Sequence, residues 1–440
     1  MKIKILFTIS LFILFFLGEI ALTFSFEQES KRDTIGPGIV PLSYRLTNDI
    51  SEIPAMHSFD STINAFLVNN DIVGASIAIA WEGRLVYSKG YGYSDKEINE
   101  PVTPRNLFRI ASVSKLITAV AIMKLIEDEK LDIDQKVFGP EGILNDSAYL
   151  NFTDKRYADI TIHHLLNHTA GWNSKKGEPV FNSLYVAHLM DVEPPASMPV
   201  IIEYALSKGL DYDPGKKYSY SNLGYCILGE IIEKITGMGY EDYVQFAILH
   251  PLGIYDMHIG KSFYDERFPY EVRYYDLDRS PLVWSYNGSG DLVPPEYGGN
   301  NIELLGAAGG WLASAPELAK LMVAIDGFDS RPDILSYRTT NYMTKTQRHT
   351  QKLIGWKGAD GYGTWWRTGT LSGTTALIMR HANETNWVVL LNTTNSKRKR
   401  IHNELSRTMF KALRGIDVWP SYDLFNYDLN ASAQSTYTNK

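Results

Sequence analysis

The apolar positions of this chain change period along its length, with sheet-like blocks near both ends and separate helical segments between them. His57–Asn70 carries Phe59, Ile63, Phe66 and Leu67 at helical spacing, which predicts an amphipathic helix. Ile72–Trp81 then reads as a strand, Glu82-Gly83 as a turn and Arg84–Ser88 as the returning strand of a β-hairpin. Gly90–Tyr93 continues that edge. From Ser112 to Met123 the chain predicts a helix that is apolar almost all the way round, and such a helix belongs in a core. It stops at the charged turn Glu127-Asp128-Glu129-Lys130.

Between about Leu131 and Leu305 prolines and aromatics are scattered and loops are long. Helical segments are expected at Thr161–Asn167, Met198–Lys208, Asn222–Thr236 and Tyr240–Leu249. This reads as an all-helical insertion whose long loops can line a site. Gly306–Asp326 is a glycine-rich lead into another buried helix. Strand patterns return at Gly361–Thr370, Thr374–Met379 and Trp387–Leu391, and a last helix runs from Ile401 to Leu413. The expected organisation is a leader over 1–25, an extended lead-in over 26–56, a sheet domain from 57–130 and 306–415, a helical insertion over 131–305 and a loose polar tail over 416–440. The sheet is therefore assembled from both halves of the chain.

Composition narrows the class. At 440 residues the chain exceeds the usual single-core size, which calls for two domains or one with a large insertion. It is 44% hydrophobic and 21% charged, as in an ordinary globular protein. The net charge of −7 and the lack of a basic stripe argue against nucleic-acid binding. Lys2 and Lys4, the apolar run from Ile5 to Leu17 and the small residues after it form a secretory leader, with a cut expected after Ser25. The expected location is thus secreted or periplasmic. The run is short for a membrane span, although an uncleaved leader would tether the protein to the membrane. No cysteine follows the leader, so no lipoprotein anchor is expected. The one cysteine, Cys226, lies in an apolar run and reads as a small buried hydrophobe; no internal disulfide can form.

Three short motifs carry candidate chemistry. Ser112 and Lys115 stand one helical turn apart, so the amine can reach the hydroxyl, and both are costly in an apolar first turn unless they work together. Ser-x-x-Lys recurs at Ser396/Lys399, within a solvated charge run, so spacing alone decides little. Tyr220-Ser221-Asn222 sits just before a buried helix. Its tyrosine can move protons and its asparagine can hold a carbonyl, the alternative being a helix N-cap at Asn222. Arg367-Thr368-Gly369-Thr370 lies on an expected strand, where glycine permits close approach and arginine can grip a carboxylate. The alternative there is a surface salt bridge and a β-bulge. Trp365 and Trp366 read as a hydrophobic wall or as core packing. His164 and His168 stand at i, i+4 but lack a third ligand, so no metal is expected.

In this order the three motifs resemble the penicillin-recognising serine hydrolases, the group of class C β-lactamases, D-Ala-D-Ala carboxypeptidases and family VIII carboxylesterases. Ile162–Gly171 and Gly309–Ser314 are also similar, and the resemblance spans Phe59 to Leu413. It implies an α/β fold of the β-lactamase/transpeptidase type, an antiparallel sheet flanked by helices with an all-helical domain beside it and the cleft between. It implies that Ser112 forms an acyl-enzyme on an amide, ester or β-lactam carbonyl, with Lys115 and Tyr220 exchanging the proton. The oxyanion would sit between the amides of Ser112 and Thr370, and Asn222 would orient the substrate. No organic cofactor or metal is implied, the partner being a small-molecule or peptide substrate. Oligomeric state is left open.

Arg367 is a departure, because the family usually has lysine or histidine there. Arginine stays protonated, so it cannot return a proton to the leaving group. It can grip a substrate carboxylate or supply a positive field. Where Tyr-Ser-Asn stands, a class A enzyme has Ser-Asp-Asn, which favours the class C-like branch. A penicillin-binding-type peptidase or amidase is placed ahead of esterase and β-lactamase. The alternative is a low-turnover penicillin- or peptidoglycan-binding protein.

Overall fold

The computed structural model describes residues 40–277, 280–345, 352–394 and 400–427. The expected leader and the second Ser-x-x-Lys motif lie outside these residues. The central sheet is formed by β1 (Gly74–Trp81), β2 (Arg84–Asp95) and β3 (Glu100–Pro101) from one half of the chain. The other half adds β10 (Gly358–Ala359), β11 (Trp365–Leu371), β12 (Thr374–Arg380) and β13 (Thr385–Leu391). Their order is β10-β11-β12-β13-β1-β2-β3, and every pairing is antiparallel. The seam between the halves is the β1–β13 ladder, which aligns Ala75 with Leu391 and Ile79 with Trp387.

Alternation along these strands explains the layers. Ala78, Ala80, Ile378, Val388 and Leu390 belong to a core that also takes in the buried helix and the insertion. Ile77, Ile79, Leu377, Trp387 and Val389 belong to a second core, with Phe59, Ile63 and Phe66 of α1 (His57–Asn69) and Leu405 and Met409 of Ile401–Arg414. Both faces of the sheet are apolar, so both are covered by helices. The nearly all-apolar helix begins at Ser114 as α2 (Ser114–Glu127), with Ser112 one step earlier in the 3₁₀ turn Ala111–Val113. Eleven of its residues from Ser114 to Leu125 are buried, Lys115 among them.

Three expectations are corrected. The insertion is not all-helical. It carries the two-residue strands β5 (His258–Ile259), β6 (Tyr275–Asp276), β7 (Val283–Trp284) and β8 (Leu292–Val293), too short to register as alternation. β5 pairs with β9 (Trp311–Ala313), and β9 pairs with β4 (Phe108–Arg109), which leads straight into the Ser112 turn. The described part of the lead-in is not extended. It forms a helical turn at Leu42–Arg45 and 3₁₀ turns at Asn48–Ser51 and Pro54–Met56, with Leu42, Leu46 and Met56 buried. Nor is the tail loose up to 427: Leu424 and Phe425 are buried, Trp419 stacks on Trp81, and Asp423 pairs with Arg331. A few apolar anchors inside a polar stretch give no period.

Candidate active site

The strand-to-helix passage at Ala111-Ser112-Val113 is bent sharply. Ala111 adopts φ +48°, a left-handed conformation that costs an alanine about 1–2 kcal/mol. Strain of this kind persists only when its surroundings over-determine it. Here β11 presses against the turn: a Cβ on Gly369 would lie 2.1 Å from the carbonyl oxygen of Ile110. Glycine is therefore required at 369, and the strand runs alongside Ser112.

Ser112, Lys115, Tyr220, Asn222 and Arg367 come together around that turn. The Tyr220 hydroxyl lies 2.8 Å from Ser112 Oγ, and Lys115 Nζ lies 3.4 Å from it. Lys115 donates to Asn222 Oδ1 at 2.7 Å and to the Ala308 carbonyl at 2.6 Å. Ala308 belongs to the π-helical turn Gly306–Gly310, whose small residues let the backbone come this close. Arg367 donates from Nε to the Ser112 carbonyl at 2.8 Å and from Nη1 to the Gly355 carbonyl at 3.0 Å. Its Nη2 lies 3.5 Å from the Tyr220 hydroxyl. The alternative of a surface salt bridge is thereby corrected: Arg367 is 3% exposed and its guanidinium is spent mainly on two carbonyls.

Electrostatics follows from this packing. Burial lowers the pKa of Lys115, Arg367 adds to that, and Tyr220 opposes it. Burial resists ionisation of Tyr220, but the charges of Lys115 and Arg367 and the hydrogen bonds with Lys115 and Ser112 outweigh it. The phenol is lowered to about 8. With the pair so shifted, its deprotonated form, a phenolate or a neutral amine, is accessible near neutral pH and can take a proton from the serine hydroxyl, itself a poor nucleophile.

The helix α3 (Asn222–Thr236) starts one residue after its cap. Ser221 is the N-cap, its side chain accepting from the Gly224 amide, which corrects the capping alternative for Asn222. Sequence reading missed Glu178, whose carboxylate accepts from the Asn222 and Leu223 amides at 3.0 and 3.2 Å. A carboxylate suits that helix N-terminus. Burial raises the pKa of Glu178 despite those amides and Lys115.

His168 lies in the Ile162–Gly171 segment of the family resemblance, and the sequence offers it no role in the site besides the discounted metal pair. Its Nδ1 accepts from the Ser221 amide at 3.1 Å, and its ring packs 4.6 Å from that of Tyr220. Burial, followed by Arg367 and Lys115, holds its pKa well below the ordinary value, so the ring is neutral with its proton on Nε2. His164 instead accepts from the Thr161 amide at a helix start. No group of three or more His, Cys, Asp or Glu side chains suited to a metal occurs among the described residues. Cys226 is buried and unpaired by any disulfide.

Above Ser112 opens a cleft of about 330 Å³, bordered by His168, Tyr218, Tyr220, Trp356, Lys357, Thr368, Thr370 and His402 among others. Lys357 Nζ lies 2.7 Å from Thr368 Oγ1. His402 Nε2 lies 3.3 Å from the Gly369 carbonyl. Trp365 packs against Trp356 and Arg380, and neither Trp365 nor Trp366 borders the cleft; both take the core-packing role.

Comparison with known proteins fits this arrangement. The Beta-lactamase family model matches residues 59–408. The chain is 29% identical to esterase EstB of Burkholderia gladioli over 51% of its own length and 55% of the esterase. It is 32% identical to penicillin-binding protein 4* of Bacillus subtilis over 41% of its length and 36% of that protein. The matches thus span little more than half, or less, of these relatives. The structure of the octameric penicillin-binding protein homologue from Pyrococcus abyssi aligns with a TM-score of 0.59 at 25% identity, covering 79% of this chain and 76% of that one. D-amino acid amidase from Ochrobactrum anthropi SV3 aligns at 0.62 and 22% identity, over 81% and 98%, a likeness of fold.

Proposed function

Because the chain belongs to the Beta-lactamase family, we propose that it is a serine hydrolase, that Ser112 is its nucleophile and that it cleaves an amide bond through an acyl-enzyme. The observation that carries this is the contact of Ser112 Oγ with both Tyr220 and Lys115. In the proposed cycle Ser112 Oγ attacks the substrate carbonyl carbon while its proton passes to the Lys115–Tyr220 pair. General-base help of this kind is worth roughly 10²–10⁴-fold. The amides of Ser112 and Thr370 hold the oxyanion, each donor contributing about 3 kcal/mol. Tyr220 then returns the proton to the leaving nitrogen, and water releases the acyl group by the same route in reverse.

Arg367 does not exchange the proton in this scheme. It fixes the nucleophile turn through the Ser112 carbonyl and holds the phenol's pKa down by its charge. Asn222 positions the lysine. The grip on a substrate carboxylate falls to Lys357 and Thr368 at the rim, which supports a penicillin-binding-type peptidase or amidase ahead of a neutral esterase. Export by the N-terminal leader is part of the proposal, and sequencing the N-terminus of the mature protein tests it.

The function is tested by turnover of a panel: D-amino-acid amides, D-Ala-D-Ala peptides, nitrocefin and p-nitrophenyl esters. Fastest turnover of the amides or peptides supports the reading. Stable acylation without turnover of any member contradicts it and favours a binding protein.

A further inference from the structure

A second cavity, of about 640 Å³, lies in the insertion between the helix Ser183–Leu189 and the β7–β8 hairpin. Its size falls within the roughly 300–1,000 Å³ usual for ligand pockets. It shares no lining residue with the catalytic cleft. Its walls combine two features. Trp284 and Tyr185 hold their rings 62% and 58% exposed, and Tyr286 stands beside them, stacked on Phe263. Around these aromatics lie the amides of Asn182, Asn300 and Asn301, and the lining contains no Asp, Glu, Lys or Arg.

The walls are braced against each other. Gly288, at the hairpin tip, has φ +77°, and a Cβ there would lie 2.3 Å from Pro194 Cγ on the turn that follows the helix. Ser285 donates to the Asp291 carbonyl and Tyr286 to that of Gly298, each at 2.9 Å, so the hairpin is fixed at both ends. The exposed rings are therefore held in place without a covering element. Large apolar rings kept exposed in a defined concavity mark a binding surface.

The chemistry of the lining selects the ligand. With no lysine or arginine in the lining and His188 as its one basic side chain, phosphate and carboxylate groups are disfavoured. An alkyl chain would cover the asparagine amides without offering them hydrogen bonds, which is costly. Each amide has two donors and a two-lone-pair acceptor, and among the described residues only one of these sites is used in Asn182, by the Glu178 carbonyl, and in Asn301, by the Leu304 amide. A ring with apolar C–H faces and hydroxyls on its edge satisfies both features at once. We infer that this pocket binds a neutral saccharide, one sugar face lying on Trp284 or Tyr185 and its hydroxyls reaching Asn182, Asn300 and Asn301. The site is independent of the proposed hydrolysis.

Saturation-transfer NMR and calorimetry on the full chain test it, with N-acetylglucosamine oligomers and cello-oligosaccharides as probes and octanoate as the alkyl competitor. The expected result is saturable binding of at least one neutral sugar series, equal in wild type and Ser112→Ala. Trp284→Ala and Asn300→Ala should each weaken it tenfold or more, while their melting temperatures stay near that of wild type. Persistence in Ser112→Ala separates this result from the fate of the nucleophile assignment. Failure of both sugar series to bind, undiminished binding in Trp284→Ala, or displacement of the sugar by octanoate overturns the inference.

Discussion

The floor of the cleft and its rim hold their cations in opposite ways. At the floor, Lys115 is fully buried and gives its protons to Asn222 and Ala308, while Arg367 gives its own to the carbonyls of Ser112 and Gly355. At the rim, Lys357 is exposed and rests on Thr368, beside open space where a substrate would lie. A buried cation with fixed acceptors cannot reach out to a ligand, but its field acts undiluted on its neighbours. An exposed one is screened, yet free to turn toward whatever enters. Under the proposed function the floor tunes the reaction and the rim selects what undergoes it.

Substitutions should divide along the same line. The largest effect is expected for Lys115→Ala, which removes half of the proton pair: kcat should fall by about 10³-fold with KM little changed, read by steady-state kinetics. Tyr220→Phe should cost about 10²-fold and change the pH profile. The active pair is the one that has lost a proton, so in wild type the rate rises with pH through an ionisation near 8 that belongs to the pair. In the phenylalanine variant only Lys115 is left to titrate, and without Tyr220, which raises its pKa, the limb should move to lower pH. Arg367→Met takes a positive charge away from the phenol, so the limb should move to higher pH, with kcat near neutrality down about tenfold. Arg367→Lys should restore much of the pH position but not the whole rate, because lysine has a single nitrogen where the guanidinium reaches the Ser112 and Gly355 carbonyls from two, Nε and Nη1.

Lys357→Ala should have the smallest and most selective effect, about a tenfold loss of kcat/KM for substrates with a free carboxylate and none for neutral esters. An equal loss on both substrate kinds would erase the distinction between floor and rim.

How much of this could be read from the sequence depends on distance along the chain. Ser112 and Lys115 are one helical turn apart, and the all-apolar helix marks Lys115 as buried, with Ser112 half-buried in the turn before it. Tyr220 and Asn222 are marked by their place at the start of a second buried helix. The strands on both sides of the insertion alternate strongly enough to predict one sheet from two halves. Glu178, His168 and Lys357 were illegible for the opposite reason: each sits in or beside a loop with no period, and only the fold brings it to the site. The direction of Arg367 was likewise hidden, since a strand residue gives no sign of whether its guanidinium turns toward a cleft or toward main-chain carbonyls. His168 shows the nearest thing to a missed signal, because the segment from Ile162 to Gly171 was already part of the family resemblance.

All of this rests on Ser112 being the nucleophile. Incubation of wild type and Ser112→Ala with a fluorophosphonate, followed by intact mass and peptide mapping, tests that claim most directly. One adduct per wild-type chain is expected, on the peptide containing Ser112, and none on the variant. Equal labelling of the two proteins, or an adduct mapped to another residue, would contradict it.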